Sequence, residues 1–119
     1  MITPTEGYLL RIFVGESDKR GKIPLYEWIV REARDKDMAG ATVLRGIMGF
    51  GPNTRTIHTF KIERLSEDLP IVIEIVDTKE KIEHFLEYID WFLQTGLVTV
   101  EPVQVRIYRR PEKKTNPSK

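Results

Sequence analysis

The sequence predicts an α+β domain in which an antiparallel sheet is covered on one side by two helices. Three observations carry this. Four runs are rich in β-branched and aromatic residues, two longer runs place apolar residues at three- and four-residue spacing, and they follow one another as βαββαβ. The size agrees: 119 residues, 40% hydrophobic and 31% charged, suit one globular domain.

The first strand is YLLRIFVG, Tyr8 to Gly15. The loop ESDKRGK follows, and its mixed charge reads as solvent-exposed. Pro24 suits the first turn of a helix, where a missing N–H costs nothing. Along PLYEWIVREARDKDM, Leu25, Trp28, Ile29 and Ala33 share one face, and Gly40 is placed to end the helix or the turn after it. ATVLRGIM, Ala41 to Met48, is the second strand. LPIVIEIV, Leu69 to Val76, is the third, almost continuously apolar. Asp77 is the expected N-cap of TKEKIEHFLEYIDWFLQ, whose Ile82, Phe85, Leu86 and Ile89 form a helical stripe, with Gly96 as the expected C′ residue. The fourth strand runs from Leu97 to Tyr108, and Pro102 marks a bulge or an edge position in it. The domain thus spans residues 1–108. Residues 109–119 form a polar, basic tail expected to be loose.

With right-handed crossovers, this order gives a ferredoxin-like sandwich. Its helices cover one sheet face only. In the third strand, however, Ile71, Ile73 and Ile75 alternate with Val72, Glu74 and Val76, so both faces are largely apolar. A sheet apolar on both sides needs both sides buried, and a further copy of the chain is the simplest cover.

Composition narrows the function. Nineteen Lys and Arg against eighteen Asp and Glu leave no basic field for nucleic acid. The charge is uneven, since RIYRRPEKKTNPSK holds six Lys or Arg against Glu112. Cysteine is absent, which excludes disulfides, thiol nucleophiles and thiolate metal sites. MITPTEGY has neither a basic n-region nor an apolar h-region, so a cytoplasmic location is expected. No Ser-His-Asp context or G-x-S-x-G elbow appears, and the two histidines, His58 and His84, lack metal-ligand spacing. No catalytic or metal-binding residue is assigned.

The informative stretch is RGIMGFGPNTRTIH, residues 45–58. Glycines there permit unusual backbone conformations and close approach of another group, and successive N–H groups beside them can cradle an anion. The same glycines also suit an ordinary turn. The connection from Gly49 to Ser66 is far longer than the ~2–5 residues of a typical hairpin, and such excursions are often functional. Arg55 and His58 are candidate contacts within it, while Arg106, Arg109 and Arg110 at the end of the fourth strand read equally as a solvated strand end, with Arg106 and Arg109 made candidate contacts by a family resemblance alone. Arg45 is expected to pair with Glu74 across the sheet.

Gly49-Phe50-Gly51, Leu69-Pro70, Ile73-Glu74-Ile75-Val76 and Thr95-Gly96 follow the order found in PII signal-transduction proteins. GESDKRGKIPLYEWIV, GATVLRGIMGFG and LSEDLPIVIEIVD resemble more closely a PII-like family of unknown function, DUF190, over about Tyr8 to Arg106. The resemblance implies a homotrimer with an adenine nucleotide in clefts between subunits. It further implies that Gly49, Phe50 and Gly51 line the cleft through their backbones and that residues 52–67 form a switching T-loop. It also points to a membrane transporter as partner. The phosphate-binding lysine that follows TG in PII proteins has no match here, because Thr95-Gly96 runs straight into LVTVEPV. AMP or ADP therefore fits better than ATP. The loop has no tyrosine for uridylylation. Two alternatives share the scaffold: a small phosphohydrolase, which wants an arginine cradle where GESDKRGK is more acidic, and a metal-tolerance trimer of the CutA type, which the scarcity of histidine opposes.

Overall fold

The computed structural model describes residues 5–51, 54–59 and 68–111, with backbone alone for 54–59. Strand β1 (Thr5–Gly15) leads through a small ladder, β2 (Lys19–Arg20) and β3 (Ile23–Pro24), into helix α1 (Leu25–Asp35). Strands β4 (Thr42–Arg45), β5 (Met48–Gly51), β6 (Thr54–Thr59) and β7 (Pro70–Asp77) follow, then helix α2 (Lys79–Asp90) and strand β8 (Leu97–Val105). The main sheet has the order β4-β7-β1-β8, antiparallel throughout, which is the expected ferredoxin-like arrangement. Pro102 lies on edge strand β8, opposite Tyr8, where a missing N–H is tolerated.

Alternation along the strands divides the sheet into two faces. Leu10, Ile12 and Val14 of β1 and Ile71, Ile73 and Ile75 of β7 are buried beneath Ile29 and Ala33 of α1 and Ile82, Phe85 and Ile89 of α2. Each fully buried aliphatic side chain contributes about 1.5–3 kcal/mol. The opposite face carries Phe13, Val72 and Val76, flanked by Leu44 and Leu97, which are 48% and 52% exposed. Arg11 sits in its middle, donating to Glu74 (2.9 Å) and Glu101 (2.7 Å). The hydrogen bond to Glu74 leads in raising the guanidinium pKa above its ordinary value. No helix among the described residues covers that face.

Element ends depart from local expectation in four places. Helix α1 stops at Asp35, and Asp37 rather than Gly40 takes the left-handed conformation (φ 59°). Its N–H reaches Arg34 O while the Met38 N–H reaches Ala33 O, both at 3.0 Å, which makes a Schellman cap closed by buried Met38. Pro24 occupies the N-cap position, one residue earlier than expected. Thr78 caps α2 by accepting the Lys81 N–H at 3.3 Å. Asp77 instead accepts the N–H groups of Thr78 and Ala39, at 2.7 and 2.8 Å, and so joins the two crossovers. Gly96 lies beyond the end of α2, against the backbone of β1.

The largest difference is in the second strand, expected to be continuous from Ala41 to Met48. It breaks after Arg45. The Gly46 N–H donates to Pro70 O at 2.7 Å, and a Cβ on Gly46 would lie 2.8 Å from Pro70 Cγ. Pro70 is the first residue of β7 and has no N–H to return that bond, so the ladder ends there, and β5 pairs with β6 in a separate ribbon. Apart from β6, the loop expected over 52–67 lies outside the described residues, as does the tail from residue 112. No helix among the described residues is long and apolar enough to cross a membrane.

Candidate functional site

Where β5 departs from the sheet, four segments converge on a cleft of about 140 Å³. Phe13, Val14 and Gly15 end β1, Gly49 to Gly51 begin the ribbon, Asp68 to Pro70 enter β7, and Thr95 to Leu97 enter β8. Local chemistry explains why they meet. Gly96 has φ 114°, and a Cβ there would come within 2.8 Å of Phe13 O, so only glycine lets β8 start this close to β1. Gly49 lies under Pro70, whose Cγ would be 3.2 Å from any Cβ. Gly96 and Gly49 thus serve close approach, whereas a Cβ on Gly51 would meet nothing within 4 Å.

The loop after β1 is tied to both neighbours. The Glu16 N–H donates to Leu69 O (2.8 Å) and the Ser17 N–H to Asp68 Oδ1 (2.7 Å). The Gly15 N–H donates to Asp18 Oδ2 (2.8 Å). Arg45 approaches Glu16 with two nitrogens, Nε at 3.1 Å from Oε2 and Nη2 at 3.2 Å from Oε1. Arg45 therefore clasps the root of the ribbon to the first loop. The expected pair with Glu74 does not form, because the register sets Arg45 opposite Ile71 and Glu74 opposite Thr42.

The cleft walls are apolar, and Asp18 and Asp68 are the ionisable side chains among the described lining residues. Of the residues singled out from sequence, Gly49, Phe50 and Gly51 share this cleft. The contacts expected of Arg55 and His58 involve side chains outside the described residues. Arg106 and Arg109 follow the far end of β8, about 30 Å from Leu97 at roughly 3.3 Å per strand residue, so one chain does not bring them to the cleft. Sequence reasoning missed Asp68, and it read Asp18 as part of a solvated charge run. A hydrogen bond spanning fifty-one positions, as between Ser17 and Asp68, leaves no local signal. Among the described residues, no group of three or more His, Asp and Glu could hold a metal ion.

A βαββαβ sandwich whose second strand runs out into a ribbon over a cleft is the architecture of PII-like proteins. Two structures of CPII, a nitrogen regulatory PII-like protein from Thiomonas intermedia K12, share the fold. One is bound to ADP, AMP and bicarbonate (TM-score 0.65, 20% identity, 88% of this chain and 92% of that one). The other is bound to ADP and bicarbonate (TM-score 0.63, 20% identity, 88% and 93%). The chain belongs to the DUF190 family, described as uncharacterized ACR, COG1993, whose model matches residues 7–105. A UPF0166 protein of Aquifex aeolicus (strain VF5) is 41% identical over 97 residues, which covers 82% of this chain and 90% of that relative. One from Methanocaldococcus jannaschii is 38% identical over 78 residues, 66% and 70% of the two chains.

Proposed function

We propose that this protein is a homotrimeric PII-like regulator that binds an adenine nucleotide in clefts shared between subunits, with residues 52–67 as the switching loop. The observation that carries the reading is the incompleteness of the cleft. At about 140 Å³ it is well below the ~300–1,000 Å³ of a complete small-molecule site, and no cation stands among its described lining residues. In a threefold ring each contact is head-to-tail, so a different part of the neighbour meets each cleft. The neighbour's Arg106 and Arg109 are the cations assigned to complete it. The uncovered apolar sheet face supplies the reason to associate.

Gly49 to Gly51 form the hinge between sheet and loop, and occupancy of the cleft biases how that loop leaves the sheet. The loop then presents one of two surfaces to a partner, for which a membrane transporter is the class to test. AMP or ADP suits the site better than ATP, since β8 follows Gly96 directly with no glycine-rich, lysine-bearing turn to grip a third phosphate. The fold shared with proteins solved with ADP and AMP supports the same ligand class. Isothermal titration of the purified protein with AMP, ADP and ATP tests this. The expected order places AMP or ADP tightest, and absence of heat from all three at high ligand concentration refutes the reading.

A further inference from the structure

Beyond β8 the chain crosses the end of the main sheet. Val105 pairs with Thr5 at one edge, and the Tyr108 hydroxyl donates to Ala39 O at 3.3 Å, in the turn that leads into β4 at the opposite edge. Arg110 completes the contact. Its Nε donates to the Tyr108 hydroxyl at 3.1 Å, and its guanidinium lies 3.6 Å from the Asp37 carboxylate. The anchor is itself fixed, because Asp37 and Met38 close the cap of α1 and Asp77 accepts the Ala39 N–H.

Between these two anchored side chains stands Arg109. It is exposed and, among the described residues, has no hydrogen bond or ion pair, whereas Tyr108 is half-buried in a groove with Leu9, Val76 and Val105. An arginine near a chain end loses side-chain and backbone freedom when it grips an anion, and that loss is subtracted from affinity. Holding the residues on either side removes the backbone share before any ligand arrives. The ion pair alone would do little, since Arg110 and Asp37 are 58% and 80% exposed. Tyr108 is the stronger point, because its hydroxyl takes part in both hydrogen bonds.

We infer that Tyr108 and Arg110 are positioning residues that latch the segment after β8 onto the turn after α1 and so hold Arg109 ready for the neighbouring subunit's cleft. The inference rests on the proposed part of Arg109 in completing that cleft and adds what orients it. Tyr108 and Arg110 touch no ligand themselves and act through Arg109, with Asp37 and Ala39 as the receiving groups.

Calorimetric titration of the assembled protein with AMP and with adenosine tests it, since the two differ by the phosphate that Arg109 would hold. Tyr108→Phe keeps the ring and every charge but removes both hydrogen bonds of the hydroxyl. It should lower the preference for AMP over adenosine by about three- to tenfold, the range expected for such a loss. Combined with Arg109→Ala it should lose nothing beyond Arg109→Ala alone, because a residue that acts through another gives a non-additive cycle. Asp37→Asn serves should Tyr108→Phe fail to fold, since asparagine tolerates the left-handed conformation. Removing that negative charge would by itself tighten the binding of an anion, whereas the latch predicts AMP bound at least about twofold more weakly. An unchanged preference in Tyr108→Phe, additive losses, or AMP binding unchanged or tighter in Asp37→Asn overturns the latch and leaves nucleotide binding standing. An Arg109→Ala protein that binds AMP as wild type does has the same consequence. Failure of wild type to bind either ligand overturns both.

Discussion

Gly96 illustrates how single residues hold this cleft open. Its φ of 114° and the 2.8 Å approach of a modest Cβ to Phe13 O leave an alanine no comfortable position. Gly96→Ala is expected to lower the unfolding free energy by about 1–3 kcal/mol, the cost of a strained backbone residue, and urea denaturation would show it as a lower midpoint at unchanged slope. An unaltered midpoint would mean that β8 shifts freely away from β1. The sequence marked Gly96 as a special residue but for the wrong reason. Glycine just after a helical stripe looks like a C-cap from local pattern, and the contact that requires it here comes from a strand more than eighty positions earlier. The same limit applies to Arg45. Opposite charges on adjacent strands suggested Glu74, and the register delivered Glu16.

Among the elements, the two helices are tied across their outer surfaces as well as through the core. Trp28 of α1 stacks on Tyr88 of α2 with centroids 6.4 Å apart, Phe92 meets both rings edge-on at 5.2 Å, and the Arg20 guanidinium lies 4.3 Å from the Phe92 ring. The Tyr88 hydroxyl donates to Glu32 at 2.6 Å. That hydrogen bond is the leading cause of a Tyr88 pKa raised above its ordinary 10.0, since it favours the protonated phenol. A raised pKa in the folded state contributes stability that is complete below the unfolded value and is lost as pH climbs through the folded one. The stability difference between wild type and Tyr88→Phe should therefore be constant near neutrality and shrink above pH 10, in denaturation followed across alkaline pH. A difference that ignores pH would remove Glu32 from the account. Both helical stripes were legible in the sequence, because a 3.6-residue period is local. The break in the second strand was not, because it depends on Pro70, which meets Gly46 only after the sheet forms.

For the whole molecule, the question is what covers the second sheet face. Val72 lies near its centre, opposite Phe13 on one side and Leu44 on the other. Val72→Glu would add a carboxylate to a face that already sets two glutamates against Arg11, and burying it without a partner is costly. Wild type is expected to run in light scattering at three times the 13.9 kDa of one chain, and Val72→Glu at a single chain with its circular dichroism retained. A monomeric wild type, or a variant that still assembles, would contradict the trimer. The order of elements, the buried stripe of each helix and the apolar character of both sheet faces were determined by the sequence itself, since each is a repeat of two to four residues. The PII-like glycines were also visible there as a motif. The membership of the cleft, the clasp of Arg45 on Glu16 and the carboxylate of Asp68 at the cleft's edge were decided only by the tertiary structure. Each depends on strand register, which emerges from packing the whole sheet and is written in no local stretch of the chain.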